Sequence, residues 1–176
     1  MRLFILLFFT IELMAASIDP LLLKAQASIF PKIMLLDSDI ATKTADNKLV
    51  LSIIHTSNEK SNAQKLKEMM DLEYVSNLGN LNFEVRLTHI DTFNKKQDVA
   101  AYYIFDASTA QKKKVVSHAK ASQRICFGYN YKDFDKNILI SLFVKEKTYI
   151  YLNKSALHEY QLKFTPIFYR IAKIIE

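Results

Sequence analysis

Apolar residues follow two different periodicities along this chain, and their alternation predicts the order of its elements. Lys48 to His55 and Val99 to Phe105 are nearly continuous apolar runs, which are typical of strands covered on both faces. Apolar residues recur three and four positions apart in Leu21 to Leu36, Ser61 to Tyr74 and Ser108 to Ala121, which predicts helices. A helix followed by strand–helix units indicates parallel strands joined by helical crossovers.

Phe83 to Leu87 and Arg124 to Tyr129 add two more strands to this part of the chain, the first alternating in the way expected near a sheet edge. The pattern then changes. Ile138 to Val144 and Thr148 to Leu152 are separated by only three residues, which predicts an antiparallel hairpin. After it, Thr165 and Pro166 begin a predicted terminal helix, whose apolar stripe comprises Ile167, Phe168, Ile171, Ile174 and Ile175. We therefore expect an α/β domain with a mostly parallel sheet, a C-terminal antiparallel hairpin and a closing C-terminal helix.

The first residues are typical of an export signal. Arg2 precedes an apolar run from Leu3 to Met14, and the small residues Ala15 to Ser17 suit cleavage. The run is shorter than the roughly 20 residues that span a bilayer, so a permanent membrane anchor fits the sequence less well than a signal peptide. A second alternative, a buried N-terminal helix, would need a partner for the Glu12 carboxylate. We expect residues 1–17 to be a signal peptide, residues 18–176 to be the mature domain, and the protein to be periplasmic.

Composition limits the remaining choices. The chain has 176 residues, half of them hydrophobic, with two Gly and three Pro, which suits one domain without flexible linkers. Cys126 is the lone cysteine, so no intramolecular disulfide is expected and its thiol should be buried. The net charge is +6, and Lys112 to Lys114 are expected to be a solvated helix face. An exported protein meets no genome, so we expect no nucleic-acid partner.

Motifs that carry chemistry are absent from the sequence. It contains no Gly-rich phosphate loop, nucleophile elbow or paired-cysteine metal spacing, and its four histidines are far apart. We expect no enzymatic activity, no cofactor and no metal. Polar residues at the carboxyl ends of the predicted strands leave one alternative, a site for a small solute or a metal, although each could instead cap a strand or helix end. These residues are His55, His89, Asp91, Asp106 and Asn130.

Several short motifs, in order and spacing, resemble the YfiR-like family of exported bacterial proteins. The matching segments are Leu23-Lys24-Ala25 with Ile29-Phe30, Leu49 to Ile54, Ala100 to Phe105, and Ile150-Tyr151-Leu152-Asn153 followed by Ala156 and Leu162. Lys24, Ala25 and Asn153 are the structural positions of these motifs. Three features depart from the family: Leu35-Leu36-Asp37 replaces a Trp-Pro, Lys136-Asn137 replaces a glycine pair, and cysteine pairs are missing.

The resemblance implies regulatory binding. Members of this family restrain the periplasmic sensory domain of an inner-membrane diguanylate cyclase. The restraint lowers the output of cyclic-di-GMP and thereby affects biofilm formation. Related domains accompany sensor histidine kinases. A homodimer is compatible with this role. Such a protein should expose an apolar patch with a polar rim. The candidate patch residues are Ile29, Phe30, Ile33 and Met34 of the first helix, with Phe164 and Phe168 near the last.

Overall fold

The computed structural model describes residues 18–75, 77–94 and 98–176, in which one eight-stranded sheet carries helices on both faces. The expected signal peptide at residues 1–17 lies outside the described residues. The helices are α1 Pro20–Met34, α2 Lys60–Tyr74, α3 Thr109–Ala121, α4 Lys154–Tyr160 and α5 Pro166–Ile171. The strands are β1 Lys48–His55, β2 Asn77–Leu78, β3 Leu81–His89, β4 Ala101–Ile104, β5 Ile125–Gly128, β6 Ile140–Val144, β7 Thr148–Asn153 and β8 Ala172–Ile175.

The sheet order is β2-β3-β1-β4-β5-β6-β7-β8. The five strands from β3 to β6 in this order are parallel, β6 and β7 form the predicted antiparallel hairpin, and β8 runs parallel to β7. This confirms the predicted α/β class. Because the chain adds β3 on one side of β1 and then β4 on the other, the connections diverge between β1 and β4, where open α/β sheets bind ligands at their carboxyl ends.

Two neighbouring tyrosines show how the faces of the sheet are covered. Tyr103 faces α1, where the Phe30 ring packs against it and stacks on Phe127 with a centroid distance of 4.3 Å. Tyr102 points to the opposite face, because side chains alternate along a strand, and its ring lies 5.8 Å from that of His118 on α3. The core therefore has two layers, one on each side of the sheet.

The terminal helix is shorter than the sequence predicts. It ends at Ile171, and the next four residues form β8, in register with β7 from Ile150 opposite Ala172 to Asn153 opposite Ile175. A strand at this position pairs backbone groups along the free edge of β7, which a continued helix could not do. The predicted apolar stripe is therefore divided: Phe168 is fully buried, whereas Ile167, Ile171 and Ile174 are about half exposed.

No helix within the described residues is both long enough and apolar enough to cross a membrane.

Candidate functional site

The residues predicted to bind a partner lie mostly in the core. Phe30, Ile33 and Met34 are buried because the apolar stripe of α1 packs onto the sheet, and Ile29 beside them is half-buried. Phe164 and Phe168 are buried too, with ring centroids 4.3 Å apart beneath the C-terminal segment. Five of the six side chains therefore pack inside the domain in place of forming an exposed patch, and only Ile29 is partly accessible.

The family-motif positions have local roles. Asn153 caps α4: its Oδ1 accepts from the Ala156 backbone N–H at 2.9 Å, and its Nδ2 donates to the Phe134 carbonyl at 2.9 Å. Ala25 is half-buried against the core. Lys24 is exposed and lies at the border of a groove described below.

The sheet brings two of the predicted ligand residues into contact. His55 and His89 are paired in the register of β1 and β3, and their ring centroids are 5.6 Å apart. The Oγ of Ser57, which follows β1, lies 3.0 Å from His89 Nε2. Two groups of Asp91 approach His89 Nδ1: the backbone N–H at 3.4 Å and the carboxylate Oδ2 at 3.7 Å. His89 thus lies between Ser57 and Asp91 at the carboxyl end of β3.

Asp106 belongs to a second cluster, organised around a lysine that was predicted to be solvated. The side chain of Lys112 is only 1% exposed, and its Nζ donates to Asp106 Oδ1 at 2.7 Å and to Asp133 Oδ2 at 2.6 Å. The interpretation of Lys112 to Lys114 as a uniformly solvated face is therefore wrong for Lys112. Asn130, the fifth predicted ligand residue, accepts from the Lys132 N–H and caps the turn that follows.

The strand-end side chains thus contact groups of this chain, some of them backbone: His55 Nδ1 lies 2.9 Å from the Thr56 carbonyl oxygen, and Asn130 accepts from the Lys132 N–H. Gln111 Nε2 links the two clusters by donating to Asp91 Oδ1 at 3.3 Å. Within the described parts of the chain, no three His, Cys, Asp or Glu side chains are placed to hold a metal ion. What the sequence located correctly is the convergence of His55 and His89.

An apolar groove of about 440 Å³ lies between α1 and α2, and none of the residues predicted to bind a partner or a ligand lines it. Its lining residues are Lys24, Ala27, Met69, Leu72 and Glu73. Leu72 is 80% exposed, although leucine is usually buried, and Glu73 accepts from Ser28 Oγ at 2.6 Å on the polar side of the groove. One feature of the sequence does indicate this groove. Leu72 does not lie on the helix face formed by Leu66 and Met70, the inward positions of α2, so the helical pattern predicts an exposed leucine.

A smaller cavity of about 150 Å³ lies near the amino ends of the strands. Lys43, Lys48 and Arg86 line it together with Asp46 and Asp98, so its charges are mixed. Lys43 is buried and paired with Asp37, which is a structural contact rather than a free binding group.

Comparisons with known proteins support the fold. No protein-family model matches the sequence, and no curated protein is significantly similar to it. Among solved structures, the chain is similar to a conserved domain protein from Vibrio cholerae O1 biovar El Tor strain N16961, with 7% identity and a TM-score of 0.62 over 88% of this chain and 60% of that one. It is also similar to an ABC domain in complex with L-Trp from Streptococcus pneumonia, with 11% identity and a TM-score of 0.52 over 82% of this chain and 60% of that one.

The chain spans about 60% of the length of each of these two structures. At such low identities the likeness concerns the fold alone. The resemblance to the YfiR-like family stays a prediction.

Proposed function

We propose that this protein is a periplasmic regulatory binding protein that restrains the sensory domain of an inner-membrane diguanylate cyclase or sensor histidine kinase, and thereby affects cyclic-di-GMP signalling and biofilm formation. Two features support the proposal: the ordered motifs that resemble the YfiR-like family, and the groove between α1 and α2. The single observation that carries it is Leu72, 80% exposed beside an apolar groove that the core does not fill.

The groove suits an amphipathic helix of the partner. Apolar anchors of such a helix would cover Met69 and Leu72, and Lys24 and Glu73 at the border would fix its orientation through charge. Burying one leucine side chain contributes about 1.5 to 3 kcal/mol. Restraint requires no catalysis. The protein binds one conformation of the sensor more tightly than the other, and the equilibrium between the two shifts toward the bound conformation by an amount set by that difference in affinity.

Leu72→Glu tests the groove. We expect it to weaken capture of the periplasmic domain of the cyclase or kinase at least about tenfold, since a carboxylate would be desolvated against apolar side chains. Its melting temperature should match that of the wild type, because the side chain is in water in the free protein. Pull-down and calorimetric titration measure the binding.

Leu21→Glu is the matched control. Leu21 is also exposed, but it lies in the first turn of α1 and is not among the lining residues of the groove. Equal binding by both variants would show that the groove is not the docking face. If the wild-type protein captures no cyclase or kinase domain at all, the proposed function itself is wrong.

Binding of a small solute at the carboxyl ends of the strands is the alternative function. The position of His55 and Asp106 on either side of the divergence between β1 and β4 favours it, as does the L-Trp bound by one protein of similar fold. Thermal-shift assays with amino acids and divalent metals test it: a solute that raises the melting temperature of the wild type, but not of His55→Ala, would favour solute binding.

A further inference from the structure

A serine, a histidine and an aspartate meet at the carboxyl ends of β1 and β3. The register that pairs His55 with His89 brings the residues after β1 beside the end of β3. There the Oγ of the exposed Ser57 lies 3.0 Å from His89 Nε2, and Asp91 Oδ2 lies 3.7 Å from His89 Nδ1. A nucleophile, its base and the carboxylate that orients the base are recognised by such geometry and not by their order in the chain.

The Asp91 carboxylate is held from its other side. Gln111 Nε2 donates to Asp91 Oδ1 at 3.3 Å. Gln111 is itself fixed by the capping box of α3, in which its Oε1 accepts from the Ser108 N–H at 3.2 Å. Oδ2 therefore faces His89 from a supported position, although the Asp91 side chain is 72% exposed.

The carboxylate can select the tautomer of His89 that acts as a base. With the ring proton on Nδ1, where Asp91 Oδ2 accepts it, the lone pair of Nε2 points to Ser57. The Asp91 N–H, 3.4 Å from Nδ1, favours the opposite tautomer. A hydrogen bond to a carboxylate is about twice as strong as one between neutral groups, and catalytic hydrogen bonds often shorten only when the substrate binds.

We propose that Ser57, His89 and Asp91 hydrolyse small carboxylic esters, with Ser57 as the nucleophile, His89 as the general base and Asp91 as a positioning residue. Ser57 Oγ bonds to the ester carbonyl carbon while His89 Nε2 takes its proton, and the alcohol then leaves with that proton as the ester C–O bond breaks. Water attacks the acyl group on Ser57 in the same way, which releases the carboxylic acid and returns a proton to Ser57.

Backbone donors for the oxyanion follow directly in the chain. α2 begins at Lys60, and its N-cap residue, Glu59, makes no capping hydrogen bond with its side chain. The N–H groups of the first turn of α2 thus remain as donors for the negative charge that develops on the ester oxygen. Because Ser57 is exposed, the site suits short and unhindered esters.

This site is separate from the proposed docking groove. Leu72 lies about 18 Å from Lys60 along the axis of α2, given the rise of a helix. Ser57→Ala should therefore leave partner binding unchanged, and Leu72→Glu should leave ester hydrolysis unchanged.

An alkyl fluorophosphonate tests the nucleophile on the full wild-type chain, because the Oγ of an activated serine displaces the fluoride and stays bonded to phosphorus. We expect peptide mass spectrometry to find the phosphonyl group on Ser57, and His89→Gln to abolish this labelling. Ser38 is the internal control. It is also exposed, but it lies after α1, where its N–H donates to the Lys163 carbonyl, and it should stay unlabelled.

Hydrolysis of p-nitrophenyl acetate measures the activity. Ser57→Ala and His89→Gln should each lower kcat/KM at least about tenfold, whereas Ser38→Ala should not change it. Asp91→Asn should lower kcat with KM unchanged, because it misorients the base without touching the ester. Circular dichroism melts check that the variants fold. A wild-type chain that is not labelled, equal labelling of Ser38 and Ser57, labelling that survives His89→Gln, or unchanged hydrolysis by Ser57→Ala would each overturn the proposal.

Discussion

At the scale of single residues, the lysine inside the strand-end cluster is the most informative position. Its ammonium group is buried, and its two carboxylate partners differ in exposure: Asp133 is 13% exposed and Asp106 is 79% exposed. Removing the buried partner of a buried charge is far more costly than removing an exposed one. We expect Asp133→Asn to lower the free energy of unfolding by about 3 kcal/mol.

Asp106→Asn is the matched control for this prediction. Its carboxylate is mostly in water, so its loss should cost less than about 1 kcal/mol. Urea denaturation of both variants measures the difference. Equal losses would mean that Asp133 is not the main counter-ion of Lys112.

The same residues show why the site could be predicted only in part. That His55 and His89 converge follows from parallel strands, whose carboxyl ends share one sheet edge. The burial of Lys112 did not follow, because its counter-ion Asp133 is 21 positions away and reaches it only through the turn after β5. The helical period does place Lys112 on the inward stripe of α3, three and four positions before Val115 and Val116. A lysine is rarely buried without a counter-ion, so that placement could be predicted only with Asp133 in view.

At the scale of elements, the C-terminal segment shows where sequence patterns become ambiguous. Ile-rich residues after Pro166 fit a helical stripe, yet β-branched residues also favour strands, and the free edge of β7 decides for the strand from Ala172 onward. Long-range pairing thus overrides a local helical signal. The parallel strands and the hairpin were predictable because their apolar runs are separated by clear turns or helices.

Phe168 tests what holds this segment in place. Its ring is fully buried against Phe164, so Phe168→Ala should lower the free energy of unfolding by about 3 to 5 kcal/mol. Ile167→Ala, one position earlier and half exposed, should change it by less than about 1 kcal/mol. Thermal and urea unfolding measure both variants. If the two changes are equally mild, α5 does not anchor the C-terminal segment to the core.

At the scale of the whole molecule, the fold is held by its core, since the single cysteine cannot form a disulfide within the chain. That core contains buried groups that can ionise. Tyr103 lies on the α1 face, whereas Cys126 and Tyr160 interact with each other elsewhere in the core. Burial raises the pKa of Cys126 to about 12, and it raises the pKa of Tyr103 and of Tyr160 well above the ordinary value. The folded protein therefore keeps protons that the unfolded chain loses at lower pH.

This difference predicts that the protein unfolds readily in alkali. The unfolded thiol and phenols ionise near pH 8.5 and 10, so between about pH 9 and 12 the folded state binds more protons and stability must fall as pH rises. Each group contributes a slope of up to about 1.4 kcal/mol per pH unit. Urea titrations from pH 7 to 11 should show a plateau and then a decline in the free energy of unfolding. Tyr160→Phe removes one of these groups and should make the decline shallower, whereas constant stability up to pH 11 would mean that these phenols and the thiol are not shielded from water.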